Sequence, residues 1–235
     1  MLTLAAVFWK VLPPAVTPCS RYTYPALIRS VFTLFMTEPV LRTRGLLALL
    51  IFAAFSVLWT SMVLPLSAPP LSLSHTVIGL FGLAGVAGAL AARRSGRWAD
   101  QGLGQRVTGI SLAILTLSWL PIAFAPSSLI ALVGGVVLLD FAVQAVHVTN
   151  QSLIFAARPD AQSRMVGAYM CFYSVGSALG AAAATQVYAL WGWVAVSLLG
   201  ALISAAAFVL WFCQQPRGPS SELANSAFKA IGLAK

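Results

Sequence analysis

A chain of 235 residues that is 60% hydrophobic and 8% charged, with a mean hydropathy of +0.90, excludes an ordinary soluble domain and fits a polytopic helical membrane protein. The net charge of +9 does not point to nucleic acid, because the basic residues are scattered rather than patched; in a membrane protein such an excess marks cytoplasmic loops. Cys19, Cys171 and Cys213 have no metal spacing, His75 and His147 are the only histidines, and no phosphate loop, nucleophile triad or acid cluster stands out. Neither an enzyme nor a cofactor or metal site is therefore expected.

Met1–Trp9 is apolar but spans only about 13 Å as a helix, too short for a hydrocarbon core of about 30 Å. With Lys10 after it rather than before, it does not read as a signal peptide. Residues 1–12 are read as the stub of a preceding transmembrane helix. Residues 13–43, with Pro13, Pro14, Pro18, Pro25 and Pro39, read as a cytoplasmic linker. Within it Ala26–Met36 is a short amphipathic helix that suits either the membrane surface or docking on the protein itself.

Six membrane-length runs follow within residues 44–213: 45–66, 75–97, 107–125, 129–149, 165–185 and 193–212. Residues 214–235 read as a polar cytoplasmic tail. The loops 67–74, 126–128 and 186–192 contain no Lys or Arg, while all 14 basic residues, Arg42 and Arg44 among them, fall in the other loops and the tails. That split places both termini in the cytoplasm.

The second run carries Gly79, Gly82, Gly85 and Gly88. They read as a packing groove, with rocking flexibility as the alternative. After it comes Gly96-Arg97-Trp98-Ala99-Asp100-Gln101-Gly102-Leu103-Gly104-Gln105-Arg106. An acid near arginines at a helix end can make a switchable ionic contact, although such a loop can also be a simple topogenic signal.

In the fourth run Asp140, Gln144, His147 and Gln151 recur at steps of four, three and four, which is one stripe of a helix. A carboxylate in a membrane-length apolar run should face a bundle interior or a wet cavity. Three readings stand for Asp140: an acid hydrogen-bonded to a neighbouring helix, a group lining a solute path, or a proton-coupling site. No basic residue lies within the predicted core to pair with it. His147 reads as a hydrogen-bonded pathway residue or as a titrating one. In the fifth run Gly176 and Gly180 form a GxxxG packing face. Tyr169 and Tyr173, one turn apart, point into the cavity or serve as interface anchor and core residue respectively. Trp191 and Trp193 suit an aromatic belt.

Together these residues resemble the second half of a bacterial drug or sugar efflux-type member of the major facilitator superfamily. Gly96–Arg106 is similar to the family's cytoplasmic Gly-x-x-x-Asp-(Arg)-x-x-Gly-x-Arg motif between helices eight and nine. It departs in having Gln101 where Arg is usual and one extra residue before Gly104. Asp140, Asn150-Gln151, Arg158-Pro159, Ser163-Arg164, Ala168-Tyr169-Met170 and Gly176/Gly180 resemble helices ten and eleven of that subgroup. Pro25–Arg42 resembles its central linker.

The resemblance implies an all-α integral membrane fold, the six-transmembrane-helix half of a twelve-helix transporter whose halves rock about a central site. The implied function is proton-coupled efflux of a small organic solute across a bacterial inner membrane, by antiport and alternating access. Asp140, Gln144, His147, Tyr169 and Tyr173 would line the pathway. Gly96, Arg97, Asp100, Gly104 and Arg106 would gate its cytoplasmic end, and Gly79, Gly82, Gly85, Gly88, Gly176 and Gly180 would pack helices. The implied partners are the bilayer, a solute, protons, and a missing N-terminal half or a second copy. A truncated non-transporting fragment and a homodimeric half-transporter are the alternatives.

Overall fold

A computed structural model describes residue 29 and residues 33–69 and 71–215. The helix stub at 1–12, most of the linker, Cys19 and nearly all of the tail therefore lie outside the described residues. Helix α1, Pro39–Ser61, begins with proline in its first turn, where the missing N–H removes no hydrogen bond. A short continuation, α2, covers Val63–Ser67. Helix α3, His75–Trp98, is capped by Ser74, whose Oγ accepts from the Val77 N–H. Helix α4 is Gly104–Ala123. Helix α5, Leu129–Ala157, is capped by Ser128 Oγ, which accepts from the Ala131 N–H at 3.2 Å. Helix α6 runs Gln162–Cys213 and is broken at Gly192.

That break matters, because 52 residues of unbroken helix would measure roughly 78 Å, more than twice the hydrocarbon thickness. Gly192 has φ 71 and ψ −165, a backbone conformation costly for any residue with a Cβ. It divides α6 into a first arm, 162–191, and a second arm, 193–213. Among the described residues from Pro39 onward the helices thus make six rods. Stretches long and apolar enough to cross a membrane are Pro39–Ser67, Arg94–Ala123, Leu129–Ala157 and Gln162–Cys213; α3 has 24 residues.

The rods pack in a defined pattern. The first arm of α6 lies tightly along α1: a Cβ built on Gly176 would meet Leu49 O at 2.1 Å, and one on Gly180 would meet Ala53 O at 2.3 Å. Backbones can approach this closely only over glycine. The second arm packs on α4. Gly200 lies under the Trp119 indole, whose Nε1 donates to Ser204 Oγ at 3.0 Å, and Trp193 Nε1 donates to Ile122 O at 3.0 Å. Helix α5 packs against both α3 and α4. Its approach to α3 runs over Gly88, where a Cβ would meet Phe141 N at 2.6 Å. Trp119→Phe, which deletes the indole donor to Ser204, is expected to lower stability by about 1 kcal/mol, read from the thermal midpoint of the detergent-solubilised protein.

The four glycines of α3 spread over more than one face: Gly85 and Gly88 meet α5, whereas among the described residues Gly79 and Gly82 have nothing within 4 Å of an added Cβ. Glycine at every third position walks around the helix at 3.6 residues per turn, so only part of the series faces α5.

Candidate functional site

The sequence stripe on α5 is held in two layers. Asp140 is buried at 2% exposure. Its Oδ1 accepts from Trp59 Nε1 of α1 at 3.1 Å. Among the described residues its Oδ2 is buried without a hydrogen-bond partner, and it faces Gly85 of α3, where a Cβ would lie 2.9 Å away. The carboxyl is thus wedged among three helices, fixed on one oxygen and unpaired on the other. Buried polar atoms in that state are rare enough to need a reason.

Two turns further along α5, about 10 Å away by helix rise, His147 Nδ1 lies 3.0 Å from Tyr169 Oη on the first arm of α6. Phe52 of α1 meets the His147 ring edge-on at 5.1 Å and the Tyr173 ring at 4.1 Å between centroids. Tyr169 is fully buried, while Tyr173 and Gln144 are half-buried. The structure therefore brings His147, Tyr169 and Tyr173 into one aromatic layer, with Asp140 in a separate layer next to Trp59.

Below that layer lies a group the sequence reading assigned to a loop. Helix α1 starts six residues before Gly45, so Arg44 sits inside it and is 7% exposed. Its Nη1 donates to Thr108 Oγ1 and Asn150 Oδ1, each at 3.4 Å, and Asn150 Nδ2 donates to Arg44 O at 3.4 Å. The Asn150 side chain also interacts with Tyr169. Arg44, Asn150, Tyr169 and His147 thus form one polar chain across α1, α5 and α6, with Thr108 joining it from α4.

The loop after α3 is a π-helical turn, Ala99–Leu103, in which Gly102 has φ 83. Asp100 Oδ1 accepts from Ser152 Oγ of α5 at 2.5 Å. Gly96 packs on Val148, and Gly104 on Leu153 and Thr149. Among the described residues no ion pair joins Asp100 to Arg97 or Arg106. Asp100, Gly96, Gln151, Ser152 and Gln162 line an open cleft of about 620 Å³. Nearby, Arg158 Nη1 pairs with Glu38 Oε1 at 2.6 Å, tying the segment before α1 to the turn between α5 and α6.

The profile of the Major Facilitator Superfamily matches residues 4–234. The chain belongs to this superfamily. It is 44% identical over 212 residues to an uncharacterized transporter, YgaY, in two strains of Escherichia coli, covering 90% of this chain and 54% of each relative. A probable transporter of Streptomyces coelicolor is 31% identical over 143 residues, covering 60% of this chain and 33% of the relative. The chain spans about half the length of the curated Escherichia coli relatives it matches.

Trp59, Arg44, Asn150 and Ser152 are the residues whose partners reading the sequence alone did not place. Trp59 and Ser152 carry no local signal. The Asn150-Gln151 pair stood out by resemblance but without a partner, and Arg44 is indistinguishable by pattern from a loop charge. Asn150→Leu leaves the buried Arg44 guanidinium short of an acceptor and is expected to destabilise by about 1–3 kcal/mol. Adding Arg44→Met to Asn150→Leu removes the stranded charge and is expected to restore part of that loss. A double-mutant cycle on thermal midpoints checks both; strict additivity would show that the two groups are not coupled.

Proposed function

We propose that this chain is the helix-seven-to-twelve half of a secondary transporter that exports a small organic solute in exchange for protons by alternating access. The observation that carries the reading is Asp140, a carboxyl buried near the middle of α5 with one oxygen unpaired among the described residues. In a membrane protein such a group is retained for function rather than for stability. On this reading Asp140 takes and releases the proton. Gln144, His147, Tyr169 and Tyr173 line the path, and the loop Gly96–Arg106 closes it through the Asp100–Ser152 contact. The protein sits in the bacterial inner membrane with both termini in the cytoplasm, as the distribution of Lys and Arg supports.

Transport needs a second six-helix bundle. The faces around Gly79 and Gly82 on α3 and Gly167 on α6, where among the described residues no atom lies within 4 Å of an added Cβ, suit its close approach. A first half carried by the same polypeptide is the primary reading, and a second copy of this chain is the other. Crosslinking cysteines placed at 79 and 167 in native membranes separates them, because a homodimer yields a band at twice the chain mass. The function is tested by expressing the chain at the full length of its relatives and screening paired solute-resistance assays. The expected result is resistance to at least one organic solute that vanishes when the proton gradient is collapsed. Unchanged sensitivity to every solute at verified expression would overturn it. A reporter fused after Lys235 is expected to be active only on the cytoplasmic side.

A further inference from the structure

Helix α4 carries an exposed ridge, Ile110, Leu117 and Leu120, each more than 60% exposed, which is the face a membrane-spanning rod turns to lipid. At the end of that ridge stands Arg106, exposed and without an ion-pair partner among the described residues. Two apolar clefts flank it. One, of about 620 Å³, runs between α4 and the end of α6 and includes Gly109, Phe208, Trp211 and Phe212. The other, of about 280 Å³, lies between α4 and the α3 end and includes Trp98, Leu103, Ile114 and Phe141. Arg106 and Ile110 line both, and among the described residues no acidic side chain lines either.

The first cleft is built rather than incidental. Gly109 lets the Trp211 ring lie against α4, since a Cβ there would meet the ring at 2.2 Å, and Trp211 Nε1 donates to Gln105 Oε1 at 3.2 Å. The arrangement is one cation above two apolar channels that part around a single isoleucine. That matches an amphiphile with one negative head and two hydrocarbon tails.

We infer that the clefts on either side of Arg106 hold an anionic phospholipid of the adjoining leaflet, its phosphate on the guanidinium and one acyl chain in each cleft. A zwitterionic lipid suits the site less well, because among the described residues lining the clefts there is no carboxylate to receive its ammonium group. The chain's own tail, which leaves from Gln215 at the mouth of the larger cleft, is a poorer occupant: it carries Arg217, Lys229 and Lys235 against Glu222, so its net charge has the same sign as Arg106. The inference depends on the chain lying in a bilayer and not on what it transports.

The test places the full chain in vesicles containing brominated phosphatidylglycerol or brominated phosphatidylcholine at equal mole fraction and measures quenching of tryptophan fluorescence. The wild type is expected to favour the anionic lipid about fivefold at the site, the fold-change one guanidinium supplies at a charged bilayer surface. Arg106→Gln is expected to abolish the preference. Arg94→Gln, at the same end of the bundle but outside both clefts, is expected to keep it. Equal quenching by the two lipids in the wild type would overturn the site, as would a preference that survives Arg106→Gln. An equal loss in Arg94→Gln would mean a diffuse basic belt and also overturn it. A chain ending at Gln215 is expected to behave as wild type; a gain in preference would make the tail the occupant instead.

Discussion

Gly180→Leu is expected to leave almost no folded protein. The α1 and α6 backbones touch at this position, so a new side chain meets Ala53 O and Cα rather than a movable side chain. Even Gly180→Ala places its methyl 2.3 Å from that carbonyl, and the helices must separate to admit it. Overpacking of this kind costs about 1–3 kcal/mol, and for leucine against backbone the upper end is the minimum. The consequence reaches the site, because α1 carries Trp59 and Phe52 while α6 carries Tyr169 and Tyr173. Gly167→Ala is the control on the same arm; with nothing within 4 Å of its Cβ, it is expected to stay within about 0.5 kcal/mol of wild type. Size-exclusion profiles of solubilised protein before and after heating read both. A normal profile for Gly180→Leu would refute the close packing.

Asp140→Asn is expected to reduce proton-driven export to background while leaving the fold intact. Asparagine keeps an oxygen to accept from Trp59 Nε1 and nearly the same volume, so packing against Gly85 survives. What disappears is the ability to gain and lose a proton. Asp140→Glu tests the same site sterically: Oδ2 already lies against Gly85, so an extra methylene is expected to destabilise by about 1–3 kcal/mol. The pH profile of export by the full-length protein, once a solute is found, is the deciding readout. Export by Asp140→Asn with an unaltered pH dependence would remove Asp140 from the coupling step.

The features legible in the sequence are those encoded locally. The apolar runs, the Gly176/Gly180 pair and the acid on α5 each declare themselves within one helix. The partners were not legible. Trp59 reaches Asp140 across 81 positions and Arg44 reaches Asn150 across 106, and no periodicity records such distances. Arg44 was misplaced for a related reason. Helix α1 begins at Pro39, before the apolar run does, so a charge in its second turn looks like a loop charge until the neighbouring α4 and α5 are seen to bury it. Gly79 and Gly82 show the opposite limit: their spacing suggests packing, but only three dimensions show that among the described residues nothing lies within 4 Å of a Cβ added at either. Asp100 likewise has arginines close in sequence, yet its bond is to Ser152, 52 positions away.

The account rests on Asp140 lying at mid-depth beside enclosed water rather than in lipid or bulk solvent. The direct measurement replaces Asp140 and, separately, Leu138, which is 44% exposed, with cysteine in a background lacking Cys19, Cys171 and Cys213. Both are then treated in native membranes with small water-soluble and lipid-soluble thiol reagents. The account expects position 140 to react with the small water-soluble reagent, from one side and more slowly than a loop cysteine, and position 138 to react only with the lipid-soluble one. Position 140 reacting as fast as a loop cysteine, or only from the lipid phase, would contradict it.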